Sequence, residues 1–298
     1  MKKRITALLT ALMLFVLCAL PSAMADSTGY SRKDYISLDA RTDNGRNVGD
    51  ALFNQEADVI YMQFSDVANL AGVSIRENYS AADGEYAVTA KGLDFSATLG
   101  TDYVCVNDRY FYVPGTFLLV SGQPWLEVRT LGRIFGYDVV QSNTDGDVVF
   151  YDMGTGILSG GEKYYEETYG RENVKWLSRI IHAETEGDTL ACKIGVGNVV
   201  MNRISDPYFP NTIHDVIFDV DVNGTVQFSP AETGGLNIPA GEESLLAAYM
   251  VLEGASTVGT SEFFVDYTKG DTAWFRKNLT FIVRIGKMDF YADPKMTY

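Results

Sequence analysis

The chain has 298 residues, 46% of them hydrophobic and 21% charged. That composition excludes a disordered chain or a coiled coil, and the length suits about two domains. Two histidines (His182, His214) and three cysteines (Cys18, Cys105, Cys192) are too few for a zinc site of the usual His/Cys kind or for a disulfide framework, so neither metal nor cofactor is expected. A formal charge of -15 argues against nucleic acid, which is bound by clustered Lys and Arg.

Lys2, Lys3 and Arg4 precede a 14-residue apolar run, residues 7–20, which Pro21 breaks and Ala23-Met24-Ala25 follows. This basic, apolar, small-residue order predicts a signal peptide over residues 1–25, cleaved after Ala25, and a secreted product. The run falls short of the ~20 residues that span a bilayer; an uncleaved anchor is the other reading of it. Leu17 stands before Cys18 where a lipoprotein signal has a small residue. Cleavage removes three basic and no acidic residues, taking the charge from -15 to -18 and leaving no expected membrane contact. Cys105 and Cys192 are then the remaining thiols, and whether they pair is open.

Residues 30–152 read as a β-rich domain with short helices. Runs 58–62, 103–106 and 110–113 are β-branched and aromatic, and Asp83-Gly84, Asn107-Asp108 and Asp145-Gly146 read as hairpin turns. Two helical patterns interrupt the strands: Phe64, Val67, Leu70, Ala71 before Gly72, and Val128, Leu131, Ile134, Phe135 before Gly136. They lie 64 residues apart, each followed by an extended piece and an Asp-Gly turn, which suggests a duplicated unit. This pattern resembles the copper amine oxidase N-terminal-like domain of secreted bacterial proteins. The resemblance implies a non-catalytic stalk or wall-contacting module, and with no histidine in the region no copper is implied. Residues 153–161 hold four glycines and read as a linker.

Residues 162–298 read as mainly helical with a small β element, making the whole chain α+β. Trp176, Leu177, Ile180 and Ile181 form a helical stripe within 172–183, and Leu190, Ile194, Gly197, Met201 and Ile204 one face of a helix over 188–204. A third helix is expected over 242–253, stopped by Gly254, with late strands at 263–265 and 280–285. The long irregular stretch 207–240 is expected to face a substrate.

Trp176, Ile180 and Glu184 fall at i, i+4 and i+8, so Glu184 continues the apolar stripe close to the helix C-terminus. Desolvation and the negative end of the helix dipole both favour the protonated carboxyl, the condition for a general acid near neutral pH. The other reading is a buried Glu paired with a base such as Arg203. Cys192 sits among Ala191 and Ile194 and reads as an inert buried thiol rather than a nucleophile served by His182 or His214.

The run 180–188 (IIHAETEGD), then 195–203 (GVGNVVMNR), Phe209-Pro-Asn-Thr-Ile213, Val216-Ile217, Gln227-Phe-Ser-Pro230, Ile285-Gly286 and Phe290-Tyr291 together resemble the SleB-type cell-wall hydrolases. The resemblance implies a lysozyme-like fold acting on peptidoglycan glycan strands, usually as a lytic transglycosylase, with Glu184 as the catalytic acid. Asp188, Asn202, Arg203, Gln227 and Phe228 are the expected substrate contacts. Asn202-Arg203 equally reads as a helix-end anchor, and Gln227-Phe228 as a loop anchor. Trp274 and Tyr267 read as sugar-stacking rings or as core. Glu186 reads as surface. Two positions depart from the family: Asp188 stands for the second Glu of the turn, and Met288 for a His before the final aromatic pair. These departures motivate a second reading, a non-catalytic wall-binding or surface-structural protein with a degenerate hydrolase domain. Spore cortex and vegetative wall are both open as substrates.

Overall fold

The computed structural model describes residues 34–115, 117–142, 146–220, 224–269 and 272–294. The expected signal peptide, residues 1–25, and Asp145 of the third expected turn lie outside the described residues.

The first part of the chain runs β1 (Ile36–Thr42), β2 (Asn47–Asn54), β3 (Val59–Met62) and helix α1 (Phe64–Leu70). A meander follows: β4 (Arg76–Ser80), β5 (Glu85–Ala90), β6 (Leu93–Thr98), β7 (Tyr103–Val106) and β8 (Arg109–Tyr112). Then come β9 (Phe117–Val120), β10 (Gln123–Glu127), α2 (Val128–Phe135), β11 (Tyr137–Gln141) and β12 (Val148–Asp152). The meander is a five-stranded sheet in chain order, and the other strands form a seven-stranded sheet ordered β11-β12-β1-β2-β3-β10-β9. Asn107 and Asp108 join β7 to β8 with φ of +50° and +63°, the left-handed pair that a two-residue hairpin turn needs. Both helices bury their apolar stripe in a core shared by the two sheets, where Phe64 meets Phe95 and Phe135 edge-on at 5.0 and 5.5 Å.

The two helix–strand units are alike only locally. After α1 the extended piece 73–75 is irregular, and the strand begins at Arg76 in the five-stranded sheet. After α2 the strand begins at once, at Tyr137, in the seven-stranded sheet.

The glycine-rich stretch 153–161, expected as a linker, is fastened to the first part of the chain. Leu158 N–H donates to Ile134 C=O (2.8 Å), and Gly161 N–H to Asn107 C=O (2.8 Å). Asn107 Nδ2 donates to Leu158 C=O (2.7 Å) and Arg109 Nη1 to Ser159 C=O (3.0 Å). A Cβ on Gly160 would lie 2.0 Å from the Asn107 carbonyl oxygen, so close approach rather than flexibility requires glycine there.

The second part contains α3 (Arg171–Thr185), α4 (Leu190–Ser205), α5 (Ile213–Ile217), α6 (Ser229–Thr233) and α7 (Glu242–Leu252). Its sheet is β13 (Phe263–Asp266), β14 (Thr280–Ile285) and β15 (Met288–Ala292), with β15 central, and α8 (Ala273–Asn278) lies between β13 and β14 in the chain. The segment 207–240, expected to be irregular, holds two short helices, and β15 carries no period-2 signal because all five of its residues are buried. The expectation of one apolar face for α4 was too narrow: residues 192–200 are all buried. Small residues make this feasible. A Cβ on Gly197 would meet Val251 Cγ2 at 2.7 Å and Ile181 Cδ1 at 3.0 Å, so α3 and α7 press directly on the α4 backbone.

The two parts meet through β8 and α7. Tyr249 stacks on Tyr165 at 3.8 Å between ring centroids and lies near-parallel to Tyr110 at 6.1 Å. Beside these rings Arg109 grips Glu253 with two hydrogen bonds (Nε–Oε1 2.8 Å, Nη2–Oε2 2.7 Å), both residues buried, and Arg133 adds a contact at 3.2 Å. Removing one partner strands a buried charge. Arg109→Met is therefore expected to cost about 3–5 kcal/mol of stability, read from urea unfolding midpoints; a loss under about 1 kcal/mol would show that Arg133 alone satisfies Glu253.

Candidate active site

Glu184 is the penultimate residue of α3. Ile180, one turn earlier, is fully buried, and Glu184 carries the same stripe to the edge of the core. No hydrogen bond or ion pair holds its carboxyl among the described residues. Burial pushes its pKa up to about 7, and the positive charge of Lys269 opposes that rise.

The carboxyl lines a cleft of about 570 Å³, together with Arg203, Gln227, Phe228, Lys269 and Met288. A smaller hollow of about 170 Å³ lies beside Phe111 and Arg133. Its one carboxylate, Glu127, is occupied in capping α2, accepting from the N–H groups of Arg129 (2.9 Å) and Thr130 (2.6 Å). Of these two, the larger cleft combines room with an unengaged acid.

Four of the six predicted site residues meet there: Glu184, Arg203, Gln227 and Phe228. Arg203 does not pair with Glu184. Its Nε donates to the Glu262 carbonyl at 2.8 Å, and its guanidinium lies 4.9–5.3 Å from the ring centres of Phe209, Phe228 and Phe263. Burial lowers its pKa to about 10. Glu262 beneath it is held up at about 7, first by burial and then by a hydrogen bond with Asp206. Phe228 is buried and starts α6, and Gln227 is fixed by its N–H donating to Asp219 C=O at 3.0 Å.

Asp188 and Asn202 do not line the cleft. The Asp188 carboxylate pairs with Lys287 at 3.2 Å, and it is Lys287 that lines the wall. Asn202 Nδ2 donates to the carbonyls of Gly259 and Ser261, both at 2.8 Å, so its work is to anchor that loop. Trp274 and Tyr267 belong neither to the core nor to the cleft lining. Trp274 is 58% exposed, and Tyr267 lies under the Arg284 guanidinium at 3.7 Å. Met288, where a His was expected, is buried in the cleft wall. Cys192 is fully buried with its thiol pushed up to about 12, and both it and Cys105 are unpaired.

The sequence reading missed Lys193, Asp266, Lys269 and Lys287. Lys193 is buried in the first turns of α4, donating from Nζ to the carbonyls of Thr185 (3.2 Å) and Asp188 (2.5 Å), which fixes the turn that follows Glu184. A lysine between Cys192 and Ile194 was the available signal. Lys269 and Lys287 lie at turns off β13 and β15, where no periodicity marks them.

A carboxyl whose folded pKa exceeds its unfolded value binds its proton more tightly in the native state. Native stability is then present at low pH and lost as pH rises through about 4.5 to 7. Across that window the wild-type chain is expected to lose about 3 kcal/mol relative to Glu184→Gln, by urea unfolding at a series of pH values. Parallel stability curves would place Glu184 in water.

Residues 187–291 match the Cell Wall Hydrolase family, a span that includes Asp188, Asn202, Arg203, Gln227 and Phe228 and begins three residues after Glu184. The chain is 25% identical over 160 residues to a spore cortex-lytic enzyme of Bacillus subtilis (strain 168), covering 50% of this chain and 45% of that protein. It is 22% identical over 122 residues to a spore cortex-lytic enzyme of Halalkalibacterium halodurans, covering 41% and 35%. The chain thus spans less than half the length of these curated relatives. Among solved structures, the catalytic domain of the germination-specific lytic transglycosylase SleB from Bacillus anthracis aligns at 21% identity and a TM-score of 0.38, covering 42% of this chain and 98% of that one. The C-terminal part of the chain is thus similar to cell-wall hydrolases over residues 187–291.

Proposed function

We propose that this chain is a secreted peptidoglycan lytic transglycosylase that cleaves the bond between N-acetylmuramic acid and N-acetylglucosamine, with Glu184 as its acid and then its base. The observation that carries the reading is Glu184 itself: a carboxyl without a partner among the described residues, near pKa 7, on the wall of a cleft large enough for sugar rings.

The protonated Glu184 gives its proton to the glycosidic oxygen as the bond to C1 breaks, and positive charge develops on the ring as an oxocarbenium. Glu184, now a carboxylate, takes the proton of the muramic acid 6-hydroxyl, and that oxygen closes onto C1. The product is a 1,6-anhydro sugar, and no water is consumed. Ordinary glycosidases need a second carboxylate as nucleophile or base. Asp266 is the other carboxylate on this cleft wall among the described residues, and it is already engaged. It accepts from Thr268 N–H (3.0 Å) and Oγ1–H (2.6 Å), which hold its pKa low, and lies 3.6 Å from Lys269. Gln227 offers a polar contact to the sugar, Phe228 shapes the floor, and Arg203 stiffens the wall through its three rings. Asp188 and Asn202 act as positioning residues, through Lys287 and the loop 259–261. The β-rich part is assigned the role of a non-catalytic stalk holding the enzyme at the wall.

The alternative, a wall-binding protein with a degenerate hydrolase domain, rests on Asp188 and Met288. Digestion of purified peptidoglycan decides between the two. Glu184→Gln is expected to lower turnover by about 10²–10⁴-fold, with 1,6-anhydromuramic ends in the wild-type products. Equal, null turnover by both proteins overturns the enzyme reading, and reducing ends would make it a hydrolase. Because the protonated acid is the competent form, kcat/KM is expected to be level below pH 7 and to fall about tenfold per unit above it.

A further inference from the structure

Three ionisable side chains lie buried together where α4 ends and β13 begins, and the reaction steps use none of them. Arg203 is 4% exposed, Asp206 5% and Glu262 0%. Asp206 follows the last residue of α4, its N–H donating to Arg203 C=O at 3.1 Å. Glu262 precedes β13 and is anchored twice: its N–H donates to Tyr291 C=O at 2.9 Å, and its own carbonyl accepts from Arg203 Nε at 2.8 Å. Asp206 Oδ1 accepts from Tyr208 N–H at 2.8 Å, whereas no N–H or hydroxyl group among the described residues reaches its buried Oδ2. What Asp206 meets besides is the carboxyl of Glu262, and the two are hydrogen-bonded. An ionised carboxylate has no hydrogen to donate, so two carboxyl groups bond only when one of them carries a proton. One proton therefore sits between Asp206 and Glu262, and a pair coupled in this way titrates as a unit.

We propose that Asp206 and Glu262 are positioning residues whose shared proton keeps the Glu262 carboxyl off the Arg203 guanidinium and so holds Arg203 in its place on the cleft wall. This rests on the glycan-cleaving reading above and adds to it two residues outside the cleft lining. Arg203 lies 4.9–5.3 Å from the ring centres of Phe209, Phe228 and Phe263, and Phe228 and Phe263 line the cleft with it. Its Nη1 is buried with no hydrogen-bond partner among the described residues, so the guanidinium keeps an unanswered donor. Once the shared proton leaves, both carboxylates are charged and repel each other in a buried site. Arg203 is the cation whose charge acts on Glu262, and its Nη1 is the waiting donor. A charge-assisted bond between them draws the guanidinium away from its rings, and Phe228 and Phe263 lose the group they pack against. The other groups facing this cluster are Asp219, after α5, whose negative charge acts on Arg203, and Asp293, after β15, whose backbone N–H bonds Glu262. Neither supplies a cation. Burial holds the Glu262 carboxyl up at about 7, so the proton is lost near neutral pH.

The test follows the pair in the Glu184→Gln chain, which lacks the other acid that titrates near pH 7. From about pH 5.5 to 8.5, NMR tracks the Arg203 Nε–H signal, and calorimetry the affinity for soluble peptidoglycan glycan strands stripped of peptide. The signal is expected to shift and the affinity to fall about fivefold, with one common midpoint. Glu262→Gln, added to that chain, replaces the shared proton by an amide hydrogen that does not titrate. It is expected to keep the low-pH signal and affinity throughout. Glu262→Leu offers no donor and is expected to bind about fivefold more weakly at every pH, with circular dichroism checking its fold. Should that chain not fold, the parent and Glu262→Gln decide between them. A flat signal in the parent, or binding whose strength ignores pH, overturns the pair. So does a slope shared with Glu262→Gln, which belongs to His182 or His214, or a folded Glu262→Leu chain that binds as tightly as the parent. The two readings fail separately. Strands bound, and peptidoglycan cut by the wild-type chain, with an Arg203 signal indifferent to pH sinks the pair alone. An Arg203 signal that titrates only while Glu262 is present, with neither binding nor turnover, sinks the transglycosylase reading alone.

Discussion

The burial of α4 on all sides is the constraint on which the cleft depends. Residues 192–200 of this helix are buried all round, its polar Lys193 and Asn198 included, and glycines at its centre let α3 and α7 approach to backbone distance. From that fixed axis the site is set at both ends. Lys193 near the start of α4 holds the carbonyls that follow Glu184, and Arg203 in its last turn forms the facing wall. Asn198 accepts from Thr257 N–H (2.9 Å) and donates to Ala255 C=O (2.6 Å), while Asn202 ties Gly259 and Ser261. The segment 255–261 is thereby positioned, and β13 follows it into the cleft. One enclosed helix thus fixes the spacing between acid, wall and sheet.

Loss of water acts on every ionisable group around this helix, and the outcome differs with the partners supplied. Glu184 receives no donor, so burial keeps its proton. Arg203 has a single carbonyl and three ring faces, and its charged form is disfavoured. Asp266 receives two donors from Thr268, which hold its pKa low. One cleft therefore holds a carboxylic acid and a carboxylate at once, the first kept neutral by burial and the second kept ionised by hydrogen bonds.

Much of the fold was legible because its signals are local. Strand runs, the Asn107-Asp108 turn and the helix stops at Gly72, Gly136 and Gly254 follow from backbone chemistry within a few residues. The semi-buried Glu184 was legible because helical spacing alone places it on an apolar stripe. Asn202 and Arg203 show where that logic stops. They are adjacent and were read together, yet about 100° of helical rotation sends one to a loop and the other to the cleft. Only the tertiary partners distinguish them. Asp188 was read as touching substrate, but its partner Lys287 lies 99 residues away in sequence. The glycines of 153–161 were read only as a linker for the same reason, since the Asn107 carbonyl that demands Gly160 comes from a distant hairpin.

That fastened stretch has a consequence for reach. Nine loose glycine-rich residues would let one half of the molecule sweep a volume around the other. Here the connection is pinned at Ile134, Asn107 and Arg109, and Arg109 at the same time clasps Glu253 on the far side. The cleft is thus held at a set distance and bearing from the β-rich part. If that part rests on the wall, cuts fall at a fixed offset from the point of attachment, as with a ruler and not a leash.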